Sequence, residues 1–231
     1  GVVADDIVAE IAAIDEVVEN LDVNPALVND ELVASKEVVD VTNTKYLEGV
    51  KGTGDLDLEG RVVSLIYGET RLVGKKVGSG HYGTVYCLDD CSQVIKIPFG
   101  DSKSSQRGLW SFEREIQQAG VAEAIGIPHA KIHNLNDPNP HYLIKDYVGG
   151  ETAAQIISKN GKLTDEQVDG LVDLFVKGRD NNFLFDQNVD NLVWDDVNKH
   201  WILVDLDKGL EDMYEKVYLF KSYFRGDPEG F

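Results

Sequence analysis

Gly78-Ser79-Gly80-His81-Tyr82-Gly83-Thr84-Val85 spells G-x-G-x-x-G-x-V, and the residues after its last glycine decide the fold. Glycines let a turn lie close to phosphate groups and offer them backbone N–H donors. A dinucleotide-binding turn needs a helix directly after its third glycine. Here Thr84-Val85-Tyr86 is β-branched and aromatic, so a strand is expected and the stretch reads as a hairpin. Taken alone, these residues fit a plain glycine turn equally well.

Downstream, Gln93-Val94-Ile95-Lys96-Ile97 reads as a second strand, paired with residues 84–88 around Asp89-Asp90. A lysine in so apolar a strand is costly to bury unless paired; otherwise Lys96 faces solvent. Residues 110–118 read as a helix carrying two candidate partners, Glu113 and Glu115. Upstream, residues 62–67 and 71–73 are extended candidates. A short strand pair is expected to bracket residues 137–140 and end at Tyr142-Leu143-Ile144. Residues 164–177 read as a helix opened by a capping box, Thr164 with Gln167.

Two polar motifs lie further along the chain. Asp186-Gln187-Asn188-Val189-Asp190-Asn191 places an Asp five positions before an Asn. That suits a base near an acceptor hydroxyl and an amide near Mg²⁺, although such a run is also an ordinary polar loop. Ile202-Leu203-Val204-Asp205-Leu206-Asp207-Lys208-Gly209 is an apolar strand ending in carboxylates. Mg²⁺ takes one or two carboxylates plus substrate phosphates, so Asp205 and Asp207 are candidate ligands or else solvated acids.

The formal net charge of -19 excludes nucleic acid as an expected partner and disfavours an anionic membrane surface. No apolar run approaches the ~20 residues that span a bilayer, so a soluble protein is expected, cytoplasmic or secreted and delivered to a host cell. Residues 1–60 hold 15 acids and 3 bases, and the shift beyond them suggests a boundary near Gly60. Within them Ile7, Ile11, Ile14, Val18 and Leu21 recur at helical spacing, and a second stripe covers about 29–39. An acidic, partly helical arm is expected. The first residue is Gly1 and the single methionine is Met213, which reads as a processed or excised N-terminus without a signal peptide. Cys87 and Cys91 are expected as free thiols near a strand turn, which suits a reducing compartment, with a labile disulfide as the alternative.

In order and spacing, Gly78…Gly83, Lys96, Glu115, Asp186, Asn191 and Asp205 together resemble the protein-kinase signature set, over roughly residues 70–210. Tyr142-Leu143-Ile144-Lys145-Asp146-Tyr147-Val148-Gly149-Gly150 resembles the hinge between kinase lobes. The resemblance implies an α+β two-lobed fold. An antiparallel sheet would form the N-lobe (61–148), and a reduced helical C-lobe (149–231) would complete the chain, both preceded by the acidic arm (1–60). It implies ATP and Mg²⁺. Gly78, Ser79, Gly80, Gly83 and Val85 would cover the nucleotide, and main-chain atoms of Asp146 and Val148 would hold adenine. Lys96, held by Glu115, would orient the phosphates. Asn191, Asp205 and Asp207 would hold metal, and Asp186 would act on the acceptor hydroxyl.

The sequence departs from that family at several positions. Leu184-Phe185-Asp186 replaces His-Arg-Asp, Asp205-Leu206-Asp207 replaces Asp-Phe-Gly, and Lys145 stands at the usual apolar gatekeeper position. Only 26 residues come after Asp205, too few for the usual activation segment and peptide platform; residues 210–224 read as one aromatic-rich helix. This shortness resembles minimal effector or toxin-type kinases, implying a Ser/Thr kinase with a protein substrate, such as a host protein, and activity that is either constitutive or dependent on an activating partner. Asp205-Leu206-Asp207 also resembles the Asp-Phe-Asp of aminoglycoside-phosphotransferase-like and lipopolysaccharide-core kinases, which implies a small-molecule or glycan acceptor instead. A pseudokinase or structural binding protein is the third reading.

Overall fold

The computed structural model describes residues 37–47, 57–80, 83–100, 102–137, 140–183, 185 and 188–206. The helical arm expected over residues 7–21, most of the second stripe, Asp186, Asp207 and the helix expected at 210–224 lie outside them. The chain divides into two compact units, 1–37 and 38–231, and every described element belongs to the second. Among the described residues no helix is long and apolar enough to cross a membrane.

Six strands form one sheet in the order β1 (Val38–Asp40), β2 (Val62–Ser64), β3 (Thr70–Ser79), β4 (Gly83–Leu88), β5 (Gln93–Pro98) and β6 (Leu143–Asp146). Pairing from β2 to β6 is antiparallel, as expected, but β1 joins β2 in parallel, so the sheet is mixed. Val38 and Val39, the end of the expected second helical stripe, are strand residues. Val41 and Leu58 are fully buried in the sheet's core. β1, Val41 and Leu58 thus precede the boundary that the charge shift suggests near Gly60, and burial of apolar side chains brings them into the sheet and its core. The segment expected to pair with residues 142–144 makes only an isolated bridge, Ile132 to Lys145.

Strand alternation gives the sheet two apolar faces. Tyr86, Leu88, Ile95, Ile97, Tyr142 and Ile144 lie on one, with Val63, Leu65 and Val73. Their neighbours Val85, Val94, Lys96, Leu143 and Lys145 alternate onto the other, toward helix α1 (Ser102–Ile125). α1 extends well beyond the expected 110–118. Its inner stripe, Phe112, Glu115, Ala119 and Ala122, recurs every three or four residues and is buried throughout.

Beyond β6, α2 (Ala153–Asn160) and α3 (Asp165–Asp180) each open with a reciprocal capping box, Thr152 with Gln155 and Thr164 with Gln167. They cover the two-stranded sheet of β7 (Leu192–Asp195) and β8 (His200–Leu203). Trp194, Trp201, Leu171 and Leu174 join Phe112 and Leu143 in one continuous core, so the helical part and α1 share their packing.

Cys87 and Cys91 are bonded to each other, which overturns the expected free thiols. The reason is the tight β4–β5 turn. Asp89 and Cys91 adopt left-handed backbone, bringing the two cysteine Cα atoms to 4.7 Å, within bonding range.

Candidate active site

The sheet register delivers the first residues. Gly78 pairs with Val85, Val85 with Lys96, and Lys96 with Leu143, so the glycine hairpin, the lysine and the start of β6 form one row. Lys96 thus points at α1 rather than at solvent. The inner stripe of α1 answers it with Glu115, while Glu113 is on the exposed side. The helical spacing from Phe112 through Glu115 to Ala119 is the signal that separates the two glutamates.

The Lys96 Nζ donates to Glu115 Oε2 at 2.8 Å and to Asp205 Oδ2 at 3.0 Å, across 109 residues of chain. It also lies 5.8 Å from the Phe112 ring centroid, within cation–π range. Glu115 has no exposed side-chain surface, whereas 30% of the Asp205 side chain is exposed. Burial disfavours the ammonium form of Lys96, but the charges of Glu115 and Asp205 and their hydrogen bonds outweigh it and hold its pKa above the ordinary lysine value. The ion cluster therefore has a sealed end at Glu115 and an accessible end at Asp205.

Lys145 completes the cluster and stood out in the sequence only as a departure from the kinase pattern. It shares the inner face of the sheet with Lys96, one residue pair along. Its Nζ donates to Glu115 Oε1 and to the Val204 carbonyl. Each carboxylate oxygen of Glu115 thus has its own lysine. Two cations and two anions meet in the interior, and such ions gain little stability over apolar residues of similar volume. A convergence of buried charges at one accessible carboxylate therefore points to a functional site.

The Asp205 end is built by main-chain bonds. Val204 N–H donates to the Asn191 carbonyl at 3.0 Å, which sets the 3-10 turn Val189–Asn191 beside the residue preceding Asp205. The Asn191 backbone thus lies beside the residue that precedes Asp205. The donor set fits Mg²⁺, which takes a carboxylate with an amide oxygen and leaves its other positions to water and phosphates. Among the described residues no three His, Cys, Asp or Glu side chains gather as a metal group. Phe185, just before Asp186, is buried and stacks on Phe175 at 5.3 Å between centroids.

The three loop glycines differ in kind. A Cβ on Gly83 would lie 2.2 Å from the Ile97 carbonyl oxygen, so the close β4–β5 approach alone demands glycine. Among the described residues nothing lies within 4 Å of a Cβ added at Gly78 or Gly80. The Gly80 N–H closes the turn by donating to the Gly83 carbonyl at 2.9 Å, so in this state it is not among the groups offered to a phosphate. Ser79 pairs with Thr84, its hydroxyl 3.5 Å from that of Thr84. At the end of β6, Asp146 N–H donates to the Lys131 carbonyl, and the Asp146 carboxylate meets His133 Nε2 at 2.6 Å. Val148 comes one residue beyond Tyr147, whose N–H is held by the Ser92 carbonyl.

No protein-family description matches the chain, and no curated protein matches it in sequence. Solved structures do match. A structure of the bifunctional kinase-methyltransferase WbdD superposes with TM-score 0.52 at 14% identity, covering 70% of this chain and 40% of that one. A second WbdD crystal structure gives 0.50 at 14% identity, covering 68% and 38%. The kinase domain of Mycobacterium tuberculosis PknI matches at 0.42 and 18% identity, covering 62% and 63%, too low to carry weight. The chain thus spans about two-fifths of WbdD, and at this identity the likeness is one of fold. The strand-rich sheet with its inner helix and the helical part beyond β6 are together a protein-kinase-like fold.

Proposed function

We propose that the protein is an ATP- and Mg²⁺-dependent phosphotransferase. The observation that carries this reading is the Lys96 ammonium, 2.8 Å from Glu115 and 3.0 Å from Asp205, in register with the glycine hairpin. The division of labour is set by it. Gly78, Ser79, Gly80, Gly83 and Val85 form the cover over the phosphates, and main-chain groups of Asp146 and Val148 take the adenine edge. Lys96, steadied by Glu115, orients the α- and β-phosphates. Asn191 and Asp205, with Asp207, would hold Mg²⁺, which would supply positive charge against the negative charge developing in transfer. Asp186 orients the acceptor hydroxyl and takes its proton as the acceptor oxygen bonds the γ-phosphorus and ADP leaves. Positioning and electrostatics supply most of such acceleration. On this reading the strand-rich part up to residue 148 and the helical part from 149 act as two lobes.

For the acceptor we favour a protein Ser/Thr hydroxyl, with an effector or toxin-type role. The Asp205-Leu206-Asp207 motif favours a second reading, a small-molecule or glycan kinase. The test is a thermal shift with Mg²⁺–ATP, followed by labelled ATP with cell lysate and, separately, with sugars and aminoglycosides. Wild type is expected to be stabilised by Mg²⁺–ATP and to label an acceptor. Asp186→Ala is expected to bind ATP yet lose about 10²-fold or more in turnover. No shift with wild type would reject the reading, and full turnover by Asp186→Ala would reject the role of Asp186.

A further inference from the structure

Position 145 of β6 has apolar neighbours in the sheet. Leu143 and Ile144 precede it, and Val94 is its cross-strand partner. An apolar residue would fill the space without the cost of burying a second ammonium near the first. Lys145 is nevertheless buried, and its bonds are specific: Glu115 on α1, and the Val204 carbonyl just beyond β8. The Val204 N–H is held in turn by the Asn191 carbonyl. One side chain therefore joins three elements: the strand leading to the hinge, the helix carrying the carboxylate of Lys96, and the segment leading into Asp205.

We propose that Lys145 is a positioning residue: it locks α1 and the Val204–Asp205 segment to the central sheet, so that Lys96 and Asp205 are held in register without a nucleotide. Displacing α1 would strip two lysines, not one, of their shared carboxylate, and would leave both ammoniums facing each other in the interior. Displacing the Asp205 segment would expose the Val204 carbonyl to an unpaired interior. Both movements are opposed by the same group, so the arrangement is fixed by the chain itself. The consequence for catalysis rests on the phosphotransferase reading, but the locking does not.

The experiment is amide hydrogen exchange on the full, nucleotide-free chain, comparing wild type with Lys145→Met. Exchange is expected to rise about tenfold at residues 112–118 and 203–206, with α3 staying within about twofold of wild type. Unchanged exchange at both segments overturns the proposal, as does an equal rise in α3, which would mark general destabilisation. Should Lys145→Met not fold, Lys145→Gln replaces it, keeping a donor for Val204 and losing the charge toward Glu115. A rise confined to 112–118 is then expected, and no rise there overturns the proposal. In turnover, Lys145→Met is expected to lose about tenfold in kcat while KM for ATP moves less than about threefold. Failure of wild type to bind Mg²⁺–ATP would overturn the phosphotransferase reading alone, since the exchange measurement uses no nucleotide.

Discussion

At the scale of the residue, Glu115 has the most at stake, with a lysine on each oxygen and no exposed surface. Glu115→Leu is expected to cost about 3–5 kcal/mol, because two buried ammoniums lose their counter-ion. The double variant Glu115→Leu/Lys145→Met should be the more stable of the two, since Lys96 keeps Asp205; urea midpoints read both. The glycines separate in the same way. Gly83→Ala drives a methyl into the Ile97 carbonyl and is expected to cost about 3 kcal/mol or more, whereas Gly78→Ala should stay within about 0.5 kcal/mol. If the hairpin covers phosphates, Gly78→Ala should raise KM for ATP while leaving the urea midpoint in place.

At the scale of the element, the ends of helices and strands are held by single polar contacts. The hydroxyl of Thr164 accepts from Gln167 N–H at 3.2 Å, and the Gln167 side chain accepts from Thr164 N–H at 3.0 Å. Thr164→Ala is expected to cost about 1 kcal/mol of unfolding free energy, measured by urea titration. Tyr142 ties the start of β6 to the turn after β2, its hydroxyl accepting from Ile66 N–H at 2.9 Å. Tyr142→Phe leaves that N–H without its partner, at a cost of about 1–2 kcal/mol.

For the molecule as a whole, pH joins these sites. Burial raises the Tyr142 pKa above the ordinary 10.0, and Lys96 lies above its ordinary 10.5 because its two carboxylates outweigh burial. In both cases the folded state holds its proton more tightly than the unfolded chain. Their stabilising contribution is therefore complete below the unfolded values and is lost as pH rises through the folded ones. Deprotonation also adds negative charge to a chain already at -19. Urea midpoints are expected to hold up to about pH 9 and to fall above about pH 10, with a shallower fall in Tyr142→Phe.

The local pattern by itself determined the β4–β5 hairpin, the capping box of α3, and the order Gly78, Lys96, Glu115, Asp205, because strand alternation, caps and glycine turns are written within a few neighbours. It did not determine that Val38–Asp40 is a strand, that α1 begins at Ser102, or that Cys87 bonds Cys91. Nor did it reveal that Lys145 shares the carboxylate of Glu115 with Lys96. These depend on what lies opposite in space. An extended or helical preference over three residues is weak until a partner strand or a sheet face covers it, and a buried lysine is tolerable only where distant carboxylates arrive to meet it. The type of each element was therefore largely local, whereas the pairing of charges across 109 residues was decided by the tertiary structure.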